Sequence, residues 1–289
     1  MLRLRPPPRS RRASANDRDQ PISAYVRPAG RNKKMASSFP CDPANRKAIL
    51  VLNEHDIEKC AYELDHAELL VADEAYVLPF PVPRSPDHPV ALKNILNAGL
   101  ARPGCLLIQS PFEPNTYDDA ETATERFALT KHVYFSEFCM YLGAREVSVD
   151  QIDLRTASGR SSLLLKGEKP GVVSGAITAT SEELDRFRAQ LSLRDEFTGG
   201  APELERAERH LRHRGLWSDP SMHSLLDMRR SESNHLLTRT LTITLSSESK
   251  RNLDVVARLR VPAFVRLSAN YNKIIQNQSE FTLTVTVRF

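Results

Sequence analysis

The sequence predicts an α+β protein, with a mixed α/β N-terminal half and helices packed on a C-terminal antiparallel β-meander. Two observations support this class. Hydrophobic and polar residues alternate along most of residues 236–289, which is the pattern of strands with one buried face. Upstream, short apolar runs of strand length are mixed with segments of helical spacing, and helices then precede the final strands, an order typical of α+β proteins.

The chain divides into three predicted regions. Residues 1–44 form a disordered basic tail, residues 45–145 a mixed α/β region, and residues 146–289 an α+β region that ends in a four-stranded antiparallel meander. The pattern leaves open whether the last two regions are one domain. With 289 residues, the chain is long enough for one large domain or two modest ones.

The basic charge is concentrated in the tail. Residues 1–34 hold eight Arg and two Lys but only two Asp, whereas the whole chain has a net charge of +4, so the remainder is mildly acidic. Prolines and like charges predict that this segment cannot join a core. It could contact nucleic acid or an anionic membrane, or it could be a targeting peptide. We favour a segment without a specific role, with Met35 as the true start.

The composition predicts a globular, cytoplasmic protein. Hydrophobic residues make up 40% and charged residues 26%, which is ordinary for such proteins. No run approaches the roughly 18 apolar residues of a membrane helix. The four cysteines form no C-x-x-C pair, and no phosphate-binding glycine motif is present, so neither a metal nor a cofactor is predicted. Nucleic acid is expected as a partner only through the tail, and a membrane is not expected.

In the first half, apolar runs and helical spacing follow one another. Strands are predicted at 47–52, 69–72, 76–80 and 105–109, and helices at 53–64, 85–99 and 118–142. The longest helix should end at Gly143, because glycine favours the conformation that stops a helix. Aromatic side chains along it are spaced to form one buried stripe. The stripe consists of Phe127, Tyr134, Phe138 and Tyr141.

The second half begins with a strand at 146–154, whose alternation slips once near Asp150. Further strands are predicted at 163–165 and 172–180, and helices at 181–191, at 202–214 and from 220 onwards. The C-terminal strands are predicted at 237–245, 253–261, 265–271 and 281–289. A helix over 247–260 is an alternative, because Ser247 could cap it. The alternation and the β-branched residues favour a strand there.

The loop at 110–119 is the best candidate for a ligand site. It follows a buried strand and precedes a helix, a position where α/β proteins often bind ligands. Its Glu113, Asp118 and Asp119 could bind a cation or act in acid–base chemistry. His210 and His213 share a helix face, but the arginines beside them would repel a metal ion, so a solvated, ion-paired face is predicted. No catalytic, cofactor-binding or metal-binding residue is predicted.

The sequence names no substrate, and the missing enzymatic signatures favour a non-enzymatic interaction or assembly module. The last strand carries little charge, and an unprotected edge strand invites pairing with another strand. We therefore predict association, with itself or another protein, through a C-terminal sheet edge. This edge consists of Phe281, Leu283, Val285, Val287 and Phe289. The alternatives are an enzyme or small-molecule binder that uses the acidic loop 110–119, and a pore-forming or membrane-acting β protein.

Overall fold

Helices and strands are mixed along the whole described chain. The computed structural model describes residues 39–62, 70, 72–156, 159–165, 171–172, 178–231, 235–259 and 279–289. The first half contains β1 (Ala48–Asn53), α1 (Glu54–Tyr62), β2 (Ala75–Phe80), α2 (Val90–Asn97), β3 (Leu106–Gln109), β4 (Tyr117–Asp119) and α3 (Ala123–Tyr141). The second half contains β5 (Glu146–Thr156), β6 (Gly159–Leu164), β7 (Gly171–Val172), α4 (Thr178–Gln190), β8 (Arg194–Glu196), α5 (Leu204–His213), α6 (Pro220–Arg229), β9 (Thr238–Thr244), α7 (Ser247–Arg258) and β10 (Glu280–Arg288). This content, with an antiparallel sheet near the C-terminus, confirms the predicted α+β class.

The first sheet is buried on both faces. Its strand order is β2-β1-β3-β4, with β1 parallel to β2 and antiparallel to β3. Because both faces of β1 are covered, residues 48–52 form an unbroken apolar run rather than an alternating one. The larger core contains Ala48, Leu50 and Leu52, and the smaller one, which includes α2, contains Ile49 and Val51.

The second sheet is antiparallel, with the strand order β7-β6-β5-β10-β9 and with β8 paired to the start of β5. The predicted slip near Asp150 is a β-bulge. Thr284 pairs with Gln151 and Val285 with Val149, which leaves Asp150 as the extra residue. The apolar face of this sheet packs against α3 and α4. The same core includes β1, so residues 45–145 and 146–289 share it.

The predicted edge strand lies in the interior of the second sheet. β10 pairs with β5 on one side and with β9 on the other, so both rows of its main-chain groups are used. The prediction that it forms a free edge is therefore wrong. Alternation reports which face of a strand is buried, and it carries no information about which strands lie alongside. The side chains of Phe281, Leu283, Val285 and Val287 are fully buried, and Phe289 packs under the Arg229 guanidinium.

The strand predicted at 253–261 is also wrong, because residues Ser247–Arg258 form α7. Val255 and Val256 are adjacent and both buried, which a helix face allows and a strand with one buried face does not. Two of the other predicted strands, at 237–245 and 281–289, are confirmed as β9 and β10. The strand predicted at 265–271 lies outside the described residues.

Three predicted helix starts are misplaced by three residues or more. The helix predicted from 85 begins at Val90. The helix predicted from 118 begins at Ala123, because residues Tyr117–Asp119 pair with β3 as β4. The strand predicted at 172–180 runs into α4, which begins at Thr178. Gly143, with a φ of 80°, ends α3 as predicted. Within the described ranges, no helix combines the length and the apolar character needed to cross a bilayer.

Candidate functional site

The acidic loop at 110–119 is held in place by two buried polar side chains from β3 and the turn before β1. Arg46 donates to the carbonyl of Pro114 at 2.9 Å and to Oδ1 of Asn115 at 2.9 Å. Gln109 donates to the same Pro114 carbonyl at 3.0 Å. These bonds fix the middle of the loop, so the carboxylate of Glu113 has a defined position.

Glu113 is the centre of a polar cluster that joins three elements. Its Oε1 accepts hydrogen bonds from the hydroxyl of Tyr134 on α3 and from Arg214 after α5, each at 2.6 Å. Its Oε2 accepts from the hydroxyl of Thr116 at 3.1 Å. The Arg214 guanidinium also lies 4.2 Å from the centroid of the Tyr134 ring. Glu113 therefore ties the loop to α3 and α5 as an ionised group.

The two aspartates of the loop lie outside the polar cluster around Glu113. They are in β4, where Asp118 pairs with Arg126 at 2.9 Å and Asp119 with Arg102 at 3.4 Å. Burial raises the pKa of Asp118, and the neighbouring Arg126 opposes that shift. Each predicted carboxylate thus has its own arginine. Among the described residues, no group of three His, Cys, Asp or Glu side chains is placed to hold a metal ion.

The Glu113→Gln variant should lose stability in a pH-dependent way. The hydrogen bond from Tyr134, with that from Thr116 and the Arg214 ion pair, holds the pKa of Glu113 below its ordinary value of 4.5 despite partial burial. A carboxyl with a lowered folded-state pKa stabilises the fold above its unfolded pKa, and this contribution is lost as the pH falls through the folded value. We expect a loss of about 1 kcal/mol at neutral pH, because solvent screens the interactions of a side chain that is 41% exposed. Urea unfolding measures this loss.

The difference between wild type and this variant should disappear in acid, below the lowered pKa of Glu113. Glu58→Gln is the matched control, since Glu58 is an exposed carboxylate on α1. It should stay within about 0.5 kcal/mol of wild type at every pH. A Glu113→Gln loss of equal size at neutral and acidic pH would contradict a role for the ionised carboxylate.

The outer edge of β9 is the sheet edge nearest the C-terminal strand. The amide of Phe289 donates to the carbonyl of Leu237, and the amide of Leu245 donates to the carbonyl of Phe281, so odd-numbered residues bond to β10. The main-chain groups of the even-numbered residues point the other way. Ser221 and Lys131 donate to the outward carbonyls of Thr242 and Thr244, at 2.9 and 2.8 Å.

The other half of this edge is unpaired. Within the described ranges, no hydrogen bond reaches the outward main-chain groups of Thr238 and Thr240. The two residues are exposed. This leaves two amides and two carbonyls available in a row, at the spacing that a strand presents to a neighbour.

Helix α6 runs beside this edge in the opposite direction. Ser221, in its first turn, bonds to Thr242, while Ser224, a turn later, accepts a hydrogen bond from Arg239 at 3.1 Å. An open pocket of about 550 Å³ lies on the exposed face of the helix. It is lined by Pro220, His223, Ser224, Asp227 and Met228. Arg239 of β9 connects the edge to this pocket through its bond to Ser224, and we call the two together the β9 groove.

A second, smaller pocket lies on α5, at the end of α3. It is lined by Tyr141, Arg206, Arg209, His210 and His213. His210, which the sequence assigned to a solvated face, instead packs edge-on against the rings of Tyr134 and Tyr141. Tyr141 belongs to the stripe of α3 that the sequence predicts to be buried. This prediction was the signal that another helix face, here the face of α5 with His210, packs against α3.

The comparisons with known proteins give no relative. No protein-family model matches the chain, and no curated protein sequence and no solved structure resembles it significantly. The function must therefore be argued from the geometry of the described residues.

Proposed function

We propose that the protein is a non-enzymatic interaction module that binds an extended peptide segment of a partner protein in the β9 groove. The observation that carries this proposal is the row of unpaired main-chain groups at Thr238 and Thr240. Exposed amides and carbonyls at strand spacing are complementary to the backbone of another strand. The predicted assembly through the C-terminal sheet is thus retained, with β9 in place of β10.

The neighbouring helix α6 is an argument for a peptide ligand, because it offers a pocket for a side chain in addition to the hydrogen bonds of the edge. In recognition by strand addition, the main chain supplies affinity and pockets beside the edge select alternate side chains. The α6 pocket offers an apolar wall at Met228 and Pro220 and polar atoms at His223 and Asp227. Met228 is exposed, as is Leu237 just before β9. We therefore expect the bound peptide to carry an apolar side chain at the position that faces α6.

A second copy of the chain fits this groove less well than a single peptide. Helix α6 lies on the apolar side of β9, where Met222 and Leu225 are fully buried in the core. Two copies paired edge to edge about a two-fold axis would each bring α6 to the same side of the joined sheet, next to the axis. A single extended peptide meets only one such helix.

We also propose a cytoplasmic setting for this interaction. The four cysteines, all within the described ranges, form no disulfide, and two of them, Cys60 and Cys139, are fully buried. Reduced cysteines at buried positions are typical of proteins from a reducing compartment.

Replacing Thr240 by proline should weaken peptide binding without unfolding the protein. Its amide points away from β10, and proline is tolerated at such edge positions because no ladder hydrogen bond is lost. The ring removes one donor from the groove and obstructs an added strand. Peptides selected from a random library displayed on phage should bind the wild-type full chain, and Thr240→Pro should weaken them by at least about tenfold.

The control is Thr240→Val, which keeps the amide and the shape of the side chain and should keep the affinity. Bound peptide should also slow hydrogen exchange of the Thr238 and Thr240 amides. Selection of no peptide, or peptides unaffected by Thr240→Pro, would contradict the proposal. A concentration-dependent dimer in light scattering that Thr240→Pro dissolves would identify a second copy as the occupant instead.

A further inference from the structure

We infer that the α5 pocket is a second binding site, for a small soluble anion that carries a phosphate or pyrophosphate group. The pocket has a volume of about 280 Å³ and is lined by two arginines, two histidines and a tyrosine. Helical spacing places the four basic side chains on one face of α5, because residues three, four and seven apart lie above one another. The sequence singled out two of them, His210 and His213, and the β9 groove uses none of them.

Two of the basic side chains have hydrogen-bond donors without a partner among the described residues. Nε of Arg209 donates to the carbonyl of Glu205 at 3.3 Å, and its two terminal nitrogens have no partner in the described part of the chain. The ring of His213, exposed one turn later, has none there either. An exposed guanidinium with free terminal nitrogens can donate two parallel hydrogen bonds to a phosphate.

The other side chains form fixed walls. Arg206 lies 4.4 Å from the centroid of the Tyr141 ring and pairs with Glu203 at 3.2 Å. Nε2 of His210 donates to the carbonyl of Tyr134 at 3.0 Å. Glu137 lies 3.7 Å from Nδ1 of that histidine and does not line the pocket. The buried His210 ring therefore holds its position before a ligand arrives, which lowers the entropic cost of binding.

The charge of the pocket selects the class of ligand. Among the described residues no carboxylate lines it, and its arginines repel a cation. A water molecule occupies about 30 Å³ in the liquid, so the pocket has room for a group as large as pyrophosphate. An anion there would also stabilise the protonated form of His210, since a nearby negative charge favours imidazolium.

Titration of the full chain with pyrophosphate at constant ionic strength tests this site. The imidazole NMR signals of His210 and His213 should shift in a saturable way, and the pKa of His210, which burial lowers in the free protein, should rise on binding. Sodium chloride at the same ionic strength should produce neither change. Arg209→Gln, at an exposed position, should leave the unfolding midpoint unchanged and weaken pyrophosphate binding roughly tenfold.

Arg212→Gln is the matched control. It removes the same charge from the same helix, but Arg212 lies over the ring of Trp217, 3.6 Å from its centroid, and does not line the pocket. Its affinity for pyrophosphate should equal that of wild type. Equal weakening by both variants, or no saturation, would overturn the inference. Sedimentation with phosphatidylcholine vesicles containing phosphatidic acid, lost in Arg209→Gln, would instead assign the pocket to a lipid headgroup.

Discussion

Replacing Lys131 by methionine should destabilise the fold by about 3–5 kcal/mol, because it leaves the buried Asp219 and the partly buried Glu248 without their cation. The Lys131 side chain is completely buried. Its Nζ lies 2.8 Å from Oδ2 of Asp219 and 2.8 Å from Oε2 of Glu248. It also donates to the outward carbonyl of Thr244. Methionine fills a similar volume but cannot donate. Urea unfolding at neutral pH measures the loss.

The loss of stability should come from the carboxylates left without a cation, rather than from the absence of the lysine side chain itself. Lys93 lies on the exposed side of α2. Lys93→Met should therefore change stability by no more than about 0.5 kcal/mol. Adding Glu248→Gln to Lys131→Met should restore part of the loss, since one of the two unpaired charges is then removed. A single-variant loss below about 1 kcal/mol, or no recovery in the double variant, would contradict this account.

Lys131 also shows what the sequence could and could not reveal. It lies four residues after Phe127 and three before Tyr134, so it belongs to the aromatic stripe, and this position was a signal that the lysine is buried. Phe127, Tyr134 and Phe138 are buried as predicted. The acidic partners are far along the chain, at the cap of α6 and in the first turn of α7. No local pattern links them to α3.

The absence of a local pattern for long-range contacts also explains why the buried strand faces were predicted correctly but the order of the strands was not. Alternation correctly gave the buried face of β10 and the bulge at Asp150, because both follow from the period of two. The order of strands depends on which surfaces meet after the chain has folded. The sequence therefore predicts a free edge at the last strand, whereas the structure places β10 inside the sheet and leaves the edge of β9 unpaired at Thr238 and Thr240 within the described residues. In the candidate site, the position of the loop between a strand and a helix predicts Glu113 as a site residue. Its partner Arg214 lies 101 residues away, so no local pattern predicts it.

Gly143→Ala should destabilise the fold by roughly 2–5 kcal/mol, through two separable effects. The residue has a φ of 80°. This left-handed conformation costs an L-residue about 1–2 kcal/mol. A Cβ built at this position would also lie only 2.3 Å from the carbonyl oxygen of Gly200. The backbone must move to relieve such a contact, which costs a further ~1–3 kcal/mol. Urea unfolding of the variant gives the sum.

Gly99→Ala separates the two effects, because Gly99 has the left-handed backbone conformation but no atom that an added Cβ would contact. Gly99 follows α2 with a φ of 67°, and a Cβ there would have nothing within 4 Å. The variant should lose only about 1–2 kcal/mol. The excess in Gly143→Ala then measures how firmly residues 199–200 are held against the end of α3. Equal losses in the two variants would mean that this segment yields to the added methyl group, and that helix geometry alone makes glycine necessary at residue 143.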